Sequence, residues 1–132
     1  DILVPTDSKP EGVKVRIVCT HLDAFGGNVT CLEQAKEVLE YAIQPAVDEG
    51  IPVLLAGDMN CGVSSSAIAE YVKSGDRLCN NDGTYERSSK LDYLIGFPKQ
   101  KWTCSDYQVV RSTEADALSD HSPITGTAVL KN

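Results

Sequence analysis

The sequence predicts a mixed α/β fold with an antiparallel C-terminal part. Three observations point to it. Residues 13–20 alternate apolar with polar and then turn apolar, as a strand does. Leu32, Ala35, Leu39, Ala42 and Ile43 recur at helical spacing. Val53-Leu54-Leu55-Ala56 is a continuous apolar run, suited to a strand covered on both faces.

The elements follow in order. Residues 1–12 carry Pro5, Pro10 and Gly12 and read as an N-terminal arm or loop, so the domain proper is taken as residues 13–130. After the first strand, Phe25-Gly26-Gly27-Asn28 reads as a loop. Thr30 followed by Glu33 has the order of a capping box for the first helix. Pro45 is expected to kink or end that helix, because it lacks an amide donor and clashes with the preceding turn. Ser64-Ser65-Ser66 can cap a second helix over 67–73, which Gly75 ends. Residues 76–90 are polar and turn-rich. Strands are predicted over 91–95, 103–111 and 124–130, with 112–119 as a loop.

The chain has 132 residues, enough for one domain but not two, and a formal charge of −7. An acidic chain does not coat nucleic acid through bulk charge, yet it can hold one phosphate through a metal ion. No apolar run reaches the roughly 20 residues of a membrane span. The N-terminus shows no basic segment ahead of an apolar stretch, so no signal peptide is visible. Five cysteines and the sequon Asn28-Val29-Thr30 fit a secreted or extracellular protein; a soluble cytoplasmic location is the alternative. Cys19, inside the first strand, is expected to be a small buried hydrophobe, and Cys79 with Cys104 is the best candidate disulfide.

Polar residues of catalytic type recur beside the strands. Thr20-His21-Leu22-Asp23-Ala24 follows the first and Gly57-Asp58-Met59-Asn60 the second. Lys90-Leu91-Asp92-Tyr93 opens the third, and Ser119-Asp120-His121-Ser122-Pro123 precedes the last. Strand ends meet on one rim of a sheet, so both histidines of the chain and four carboxylates are expected to converge there. Such a set suits phosphate-ester hydrolysis. One imidazole takes a proton while another gives one, and a carboxylate fixes the tautomer of its neighbour. Carboxylate oxygens also suit a hard cation, and an amide such as Asn60 can donate to a phosphate oxygen.

The ordered series THLDA (20–24), GDMN (57–60), KLDYL (90–94) and SDHSP (119–123) resembles the endonuclease/exonuclease/phosphatase superfamily. That group includes deoxyribonuclease I, abasic-site endonucleases, neutral sphingomyelinases and inositol polyphosphate 5-phosphatases. The resemblance implies a two-sheet β-sandwich flanked by helices, a four-layer α/β/β/α fold, of which this chain is the C-terminal half. It implies that His121 is the general base, oriented by Asp92, and that Asp120 binds metal. Asp58 and Asn60 would position the nucleophile and the phosphate, and bind a second ion in some members. His21 would contact the phosphate and protonate the leaving oxygen, while Asp23 is read as structural. Mg²⁺ is the implied cofactor, with Mn²⁺ or Ca²⁺ as alternatives.

The family's upstream half, with its metal-binding Glu, has no counterpart here, and Glu11 has no strand-like setting. A second polypeptide supplying that half is the expected partner. The leading activity is a metal-dependent phosphodiesterase, most of all a DNA endonuclease, with Arg87, Lys90, Lys99 and Lys101 as a local basic rim. A phosphoinositide phosphatase or sphingomyelinase-type enzyme is the alternative, with Phe97-Pro98 and Trp102 as an apolar membrane loop. A catalytically silent binding member of the family is a third reading.

Overall fold

A computed structural model describes residues 1–131. A five-stranded sheet in the order β1-β2-β3-β5-β4 forms its centre. The strands are β1 (Ile2–Thr6), β2 (Lys9–His21), β3 (Val53–Asp58), β4 (Asp76–Arg77) and β5 (Asp92–Phe97). Strands β2 and β3 are parallel and the other neighbours antiparallel. Helices α1 (Gly27–Val38), α2 (Gln44–Asp48) and α3 (Ser66–Ser74) accompany it. A separate antiparallel pair, β6 (Trp102–Val109) and β7 (Ile124–Leu130), is linked by the short helix α4 (Thr113–Leu118).

Alternation along the central strands sorts their side chains between two faces. Val53, Leu55, Tyr93, Ile95 and Phe97 point to one face and meet Cys31, Ala35, Ala46, Ile68 and Tyr71 from the helices in the main core. Leu54 and Leu94, one residue out of step, point the other way. There they pack with Val15, Leu78 and Trp102 against Cys104, Ala128 and Leu130 of the β6–β7 sheet. The result is helices, sheet and sheet: three layers of the expected four.

The second sheet covers only part of the face it meets. Ile2, Val4 and Ile17 stay 41–49% exposed beside a groove of about 310 Å³ that Leu54, Trp102 and Ala128 also line. Apolar inner faces left in water are what half a sandwich predicts.

Several local expectations are corrected. Residues 1–12 are not a loop: β1 folds back on β2 as a hairpin, Ile2 opposite Val15, around Asp7 and Ser8. Pro5 sits at a register irregularity on the outer strand, where the missing donor costs no ladder bond. Glu11 is within β2, but it is exposed and ten residues before His21, roughly 30 Å away along the strand. Thr30 is not a helix cap. The helix starts earlier, after Gly26, and the Thr30 hydroxyl donates back to the Gly26 carbonyl. Pro45 does not end the helical run, because a π-helical segment at Leu39–Ile43 precedes it and leaves the proline in the first turn of α2. Residues 113–118, read as loop, form α4 because Ser112 accepts the Ala115 amide as an N-cap.

All five cysteines are free thiols, so the Cys79–Cys104 disulfide is not formed, although both residues line one open groove. Cys19 is exposed, since its side of β2 lies beyond the reach of the second sheet. Phe97 and Trp102 are core residues, 1% and 5% exposed, and do not make a membrane loop. No helix among the described residues is long and apolar enough to cross a membrane.

Candidate active site

Register builds the site. His21 ends β2, Asp58 ends β3 and Asp92 opens β5, and the pairing sets His21 beside Asp58 and Asp58 opposite Asp92. Three chemistry-bearing residues from distant parts of the sequence thus form one row across the sheet edge. Gly57 is required in the row. Its φ is +147°, and a Cβ there would lie 1.9 Å from the Thr20 carbonyl oxygen.

His121 arrives from the β6–β7 side. Its Nδ1 lies 2.8 Å from Asp92 Oδ2, and its Nε2 is 3.6 Å from Asp58 Oδ2. The same Asp58 oxygen is 3.5 Å from Nε2 of His21. One carboxylate oxygen therefore stands between two imidazoles. They differ in setting: the His21 side chain is 73% exposed and that of His121 only 28%. Burial alone would pull the His121 pKa down. The Asp92 hydrogen bond and the charges of Asp92, Asp58 and Asp120 outweigh it and hold the imidazole above its ordinary value.

The turn after β3 is locked by its own side chains. Asp58 Oδ1 accepts the Asn60 amide at 2.8 Å, and Asn60 Nδ2 donates to the Leu22 carbonyl at 2.7 Å. Asn60 has φ +49°, a left-handed conformation that asparagine tolerates well. Asp23 turns into its own loop, where Oδ1 accepts the amides of Phe25 and Gly26 at 2.6 and 2.9 Å, and these bonds lower its pKa. That arrangement agrees with the structural reading.

Asp58, Asp92 and His121 each offer a ligand atom, all within 4.8 Å of one another. Two carboxylates placed directly opposite repel each other, and no Lys or Arg forms an ion pair with either among the described residues. Oxygen donors of like charge suit a hard divalent cation, so the residues fit the implied metal. Asp120, expected as a ligand, does not belong to this cluster, whereas Asn60, the other expected ligand, adjoins it through its amide bond to Asp58. Asp120 lines a neighbouring groove with Glu86, Arg87 and Asp116. A site feature the sequence did not flag is Tyr85, whose ring packs 5.1 Å from the His121 ring and whose backbone bridges to it. Nothing in the turn-rich stretch 76–90 marks it.

The basic rim is not assembled. Lys90 is 5% exposed, donates to the Tyr107 hydroxyl at 2.6 Å and lies over the rings of Tyr93 and Tyr107. Its burial lowers its pKa. Arg87 pairs with Asp116. Lys99 and Lys101 follow the far end of β5, roughly 20 Å from Asp92 by the rise of a strand.

No known family's sequence profile matches this chain, and no curated protein is similar to it in sequence. Solved structures resemble it in fold. A mannosyl-6-phosphatase of Bacteroides thetaiotaomicron superposes with a TM-score of 0.73 at 19% identity, over 90% of this chain and 52% of its own. An endonuclease/exonuclease/phosphatase family protein of the same organism gives 0.69 at 19% identity, over 87% of this chain and 48% of its own. The beta toxin of Staphylococcus aureus, solved with bound magnesium ions, gives 0.58 at 18% identity, over 89% and 53%. The chain thus has the fold of the endonuclease/exonuclease/phosphatase superfamily, and it spans about half the length of the proteins it matches.

Proposed function

We propose that this chain supplies the histidine and carboxylate side of a metal-dependent phosphodiesterase site, with DNA as the substrate class. One observation carries the reading: the Asp58 carboxylate oxygen lies 3.5 and 3.6 Å from two imidazoles, one of them held from behind by Asp92. In this reading Asp92 keeps the His121 Nδ1 occupied, so Nε2 faces the attacking water and takes its proton. Asp58 and Asn60 position that water and the scissile phosphate. His21, the more exposed imidazole, contacts the phosphate and returns a proton to the leaving oxygen. By the resemblance Asp58, Asp120 and Asn60 would hold the cation, Mg²⁺ in the first instance and Mn²⁺ or Ca²⁺ as alternatives; of the three, only Asp58 lies within the Asp58–Asp92–His121 cluster. A bound cation of this class neutralises charge developing on phosphoryl oxygens.

A smaller substrate is the second reading, favoured by the dispersal of the basic residues. With Lys90 buried and Lys99 and Lys101 at the far end of β5, little positive charge is left to track a DNA backbone. Plasmid nicking and phosphate release from sugar phosphates and phosphoinositides, each in Mg²⁺ and in EDTA, separate the two. Metal-dependent nicking is expected. Metal-dependent release from a small ester without nicking moves the substrate class, and no hydrolysis of any ester overturns the reading.

The proposal includes a completing region, a second polypeptide or an upstream segment, laid over the apolar groove at Ile2, Val4 and Ile17. The half-length matches to solved structures support it. Intact mass and a denaturing gel of the active native protein test it. A single species of 14.2 kDa, active alone, would refute it.

A further inference from the structure

We infer that Thr84 is the positioning residue that fixes the Asp92–His121 pair, through a hydroxyl that accepts two backbone amides of the Asp92 segment. This inference rests on the functional role proposed for that pair. Thr84 is completely buried, in a stretch whose neighbours Asn81, Asp82, Glu86 and Arg87 are exposed. Its Oγ1 accepts the amides of Leu91 and Asp92, each at 3.1 Å. Its own amide donates to the Ser89 carbonyl at 2.8 Å, and its carbonyl accepts the Ser122 amide at 2.7 Å.

Those bonds join two segments that no strand pairing connects. Asp92 belongs to the five-stranded sheet, and His121 precedes β7 of the other sheet. Thr84 holds the first through its side chain and the second through its main chain, one residue on either side of Tyr85 and His121. The adjoining residues extend the same strap. Tyr85 bridges to His121, and the Glu86 amide donates to the Asp120 carbonyl at 2.9 Å. A short carboxylate–imidazole bond between two sheets depends on how the sheets are tied near it, and Thr84 is the buried tie.

The chemistry of the position is narrow. Serine keeps the acceptor oxygen. Valine keeps the shape and leaves two part-buried amides without that partner, a larger defect than a lost surface bond. Misplacing a group behind a functional side chain costs on the order of tenfold to a hundredfold in related settings.

The test compares Thr84→Val and Thr84→Ser in the complete protein. Proton NMR reads the His121 imidazole N–H that is bonded to Asp92, identified by its loss in Asp92→Asn. Kinetics read kcat and KM separately. Valine is expected to lose the imidazole resonance and to lower kcat about tenfold to a hundredfold with KM little changed. Serine is expected to restore both. In the unsubstituted protein, hydrogen exchange of the Leu91 and Asp92 amides is expected to be slow, a measurement that stands even if the valine variant does not fold. Fast exchange there, an unaltered resonance in the valine variant, or failure of serine to rescue would each overturn the inference. A protein without turnover that still shows the resonance pattern retains the Thr84 inference and loses the enzymatic reading.

Discussion

Asp58 and Asp92 lie directly opposite one another across β3 and β5, two carboxylates paired where a sheet ordinarily avoids like charges. The arrangement destabilises the fold unless something positive shares it. The neighbouring imidazoles do so only when protonated. Asp58→Asn removes the repulsion and keeps the oxygen that accepts the Asn60 amide. Its melting temperature in EDTA at pH 8 is expected to rise by about 1–4 °C, the scale of one cross-strand charge pair. The further rise that Mg²⁺ gives the unsubstituted chain is expected to shrink or vanish. Thermal melts with and without the ion check both.

His121→Ala is expected to abolish turnover while leaving the fold intact. The imidazole is only partly buried and contributes to neither core cluster, so little packing is lost. A positioned general base contributes about a hundredfold to ten-thousandfold. Circular dichroism and melting temperature verify the fold, and the phosphoesterase assay reads the loss. Unchanged hydrolysis would remove His121 from the role proposed for it.

The raised pKa of His121 makes stability pH-dependent in a definite direction. Burial opposes the shift, and the bond to Asp92 with three nearby carboxylates overcomes it. A folded pKa above the unfolded one, about 6.5, means the native state binds the proton more tightly. The added stability is complete below the unfolded value and is lost as pH rises through the folded value. Denaturant melts in EDTA from pH 5 to 9 are expected to show this loss in the native sequence. They are expected to lack it in Asp92→Asn, which removes the partner.

Cysteine reactivity is expected to rank by burial. Cys19 is exposed, whereas Cys31 and Cys61 are 2% and 3% exposed. Burial first, and then the neighbouring Cys31 thiol, push the Cys61 pKa up to about 12, so thiolate is scarce there at pH 8. Brief iodoacetamide treatment followed by peptide mass mapping is expected to label Cys19 first and to spare Cys31 and Cys61 until the chain unfolds. Early labelling of Cys61 would contradict the packing around the Asp58 turn.

Gly57→Ala is expected to be among the most damaging single substitutions. The added methyl meets a backbone oxygen of the adjacent strand at 1.9 Å, and a backbone oxygen has no rotamer through which to yield. A loss of about 3 kcal/mol or more, read from denaturant melts, follows from a clash at such a position. Asp58 is the next residue, so any strand displacement that relieves the clash also moves the site.

What the sequence determined by itself is local. Alternation at residues 13–20, the apolar run at 53–56 and the serine cap at 65 report on a residue's own backbone and nearest turn, and the strands and α3 formed where they pointed. The four polar clusters were legible because each stands at a strand end, and His21, Asp58, Asp92 and His121 did come together. Tertiary structure decided what depends on partners remote in the chain. The Pro5 hairpin needed β2 to pair with, and the burial of Lys90 needed Tyr107 to receive its ammonium. Exposure of Cys19 followed from how far the second sheet extends. The row of His21, Asp58 and Asp92 is a matter of strand register, and register is set by the packing of whole faces, which no single stretch of sequence contains.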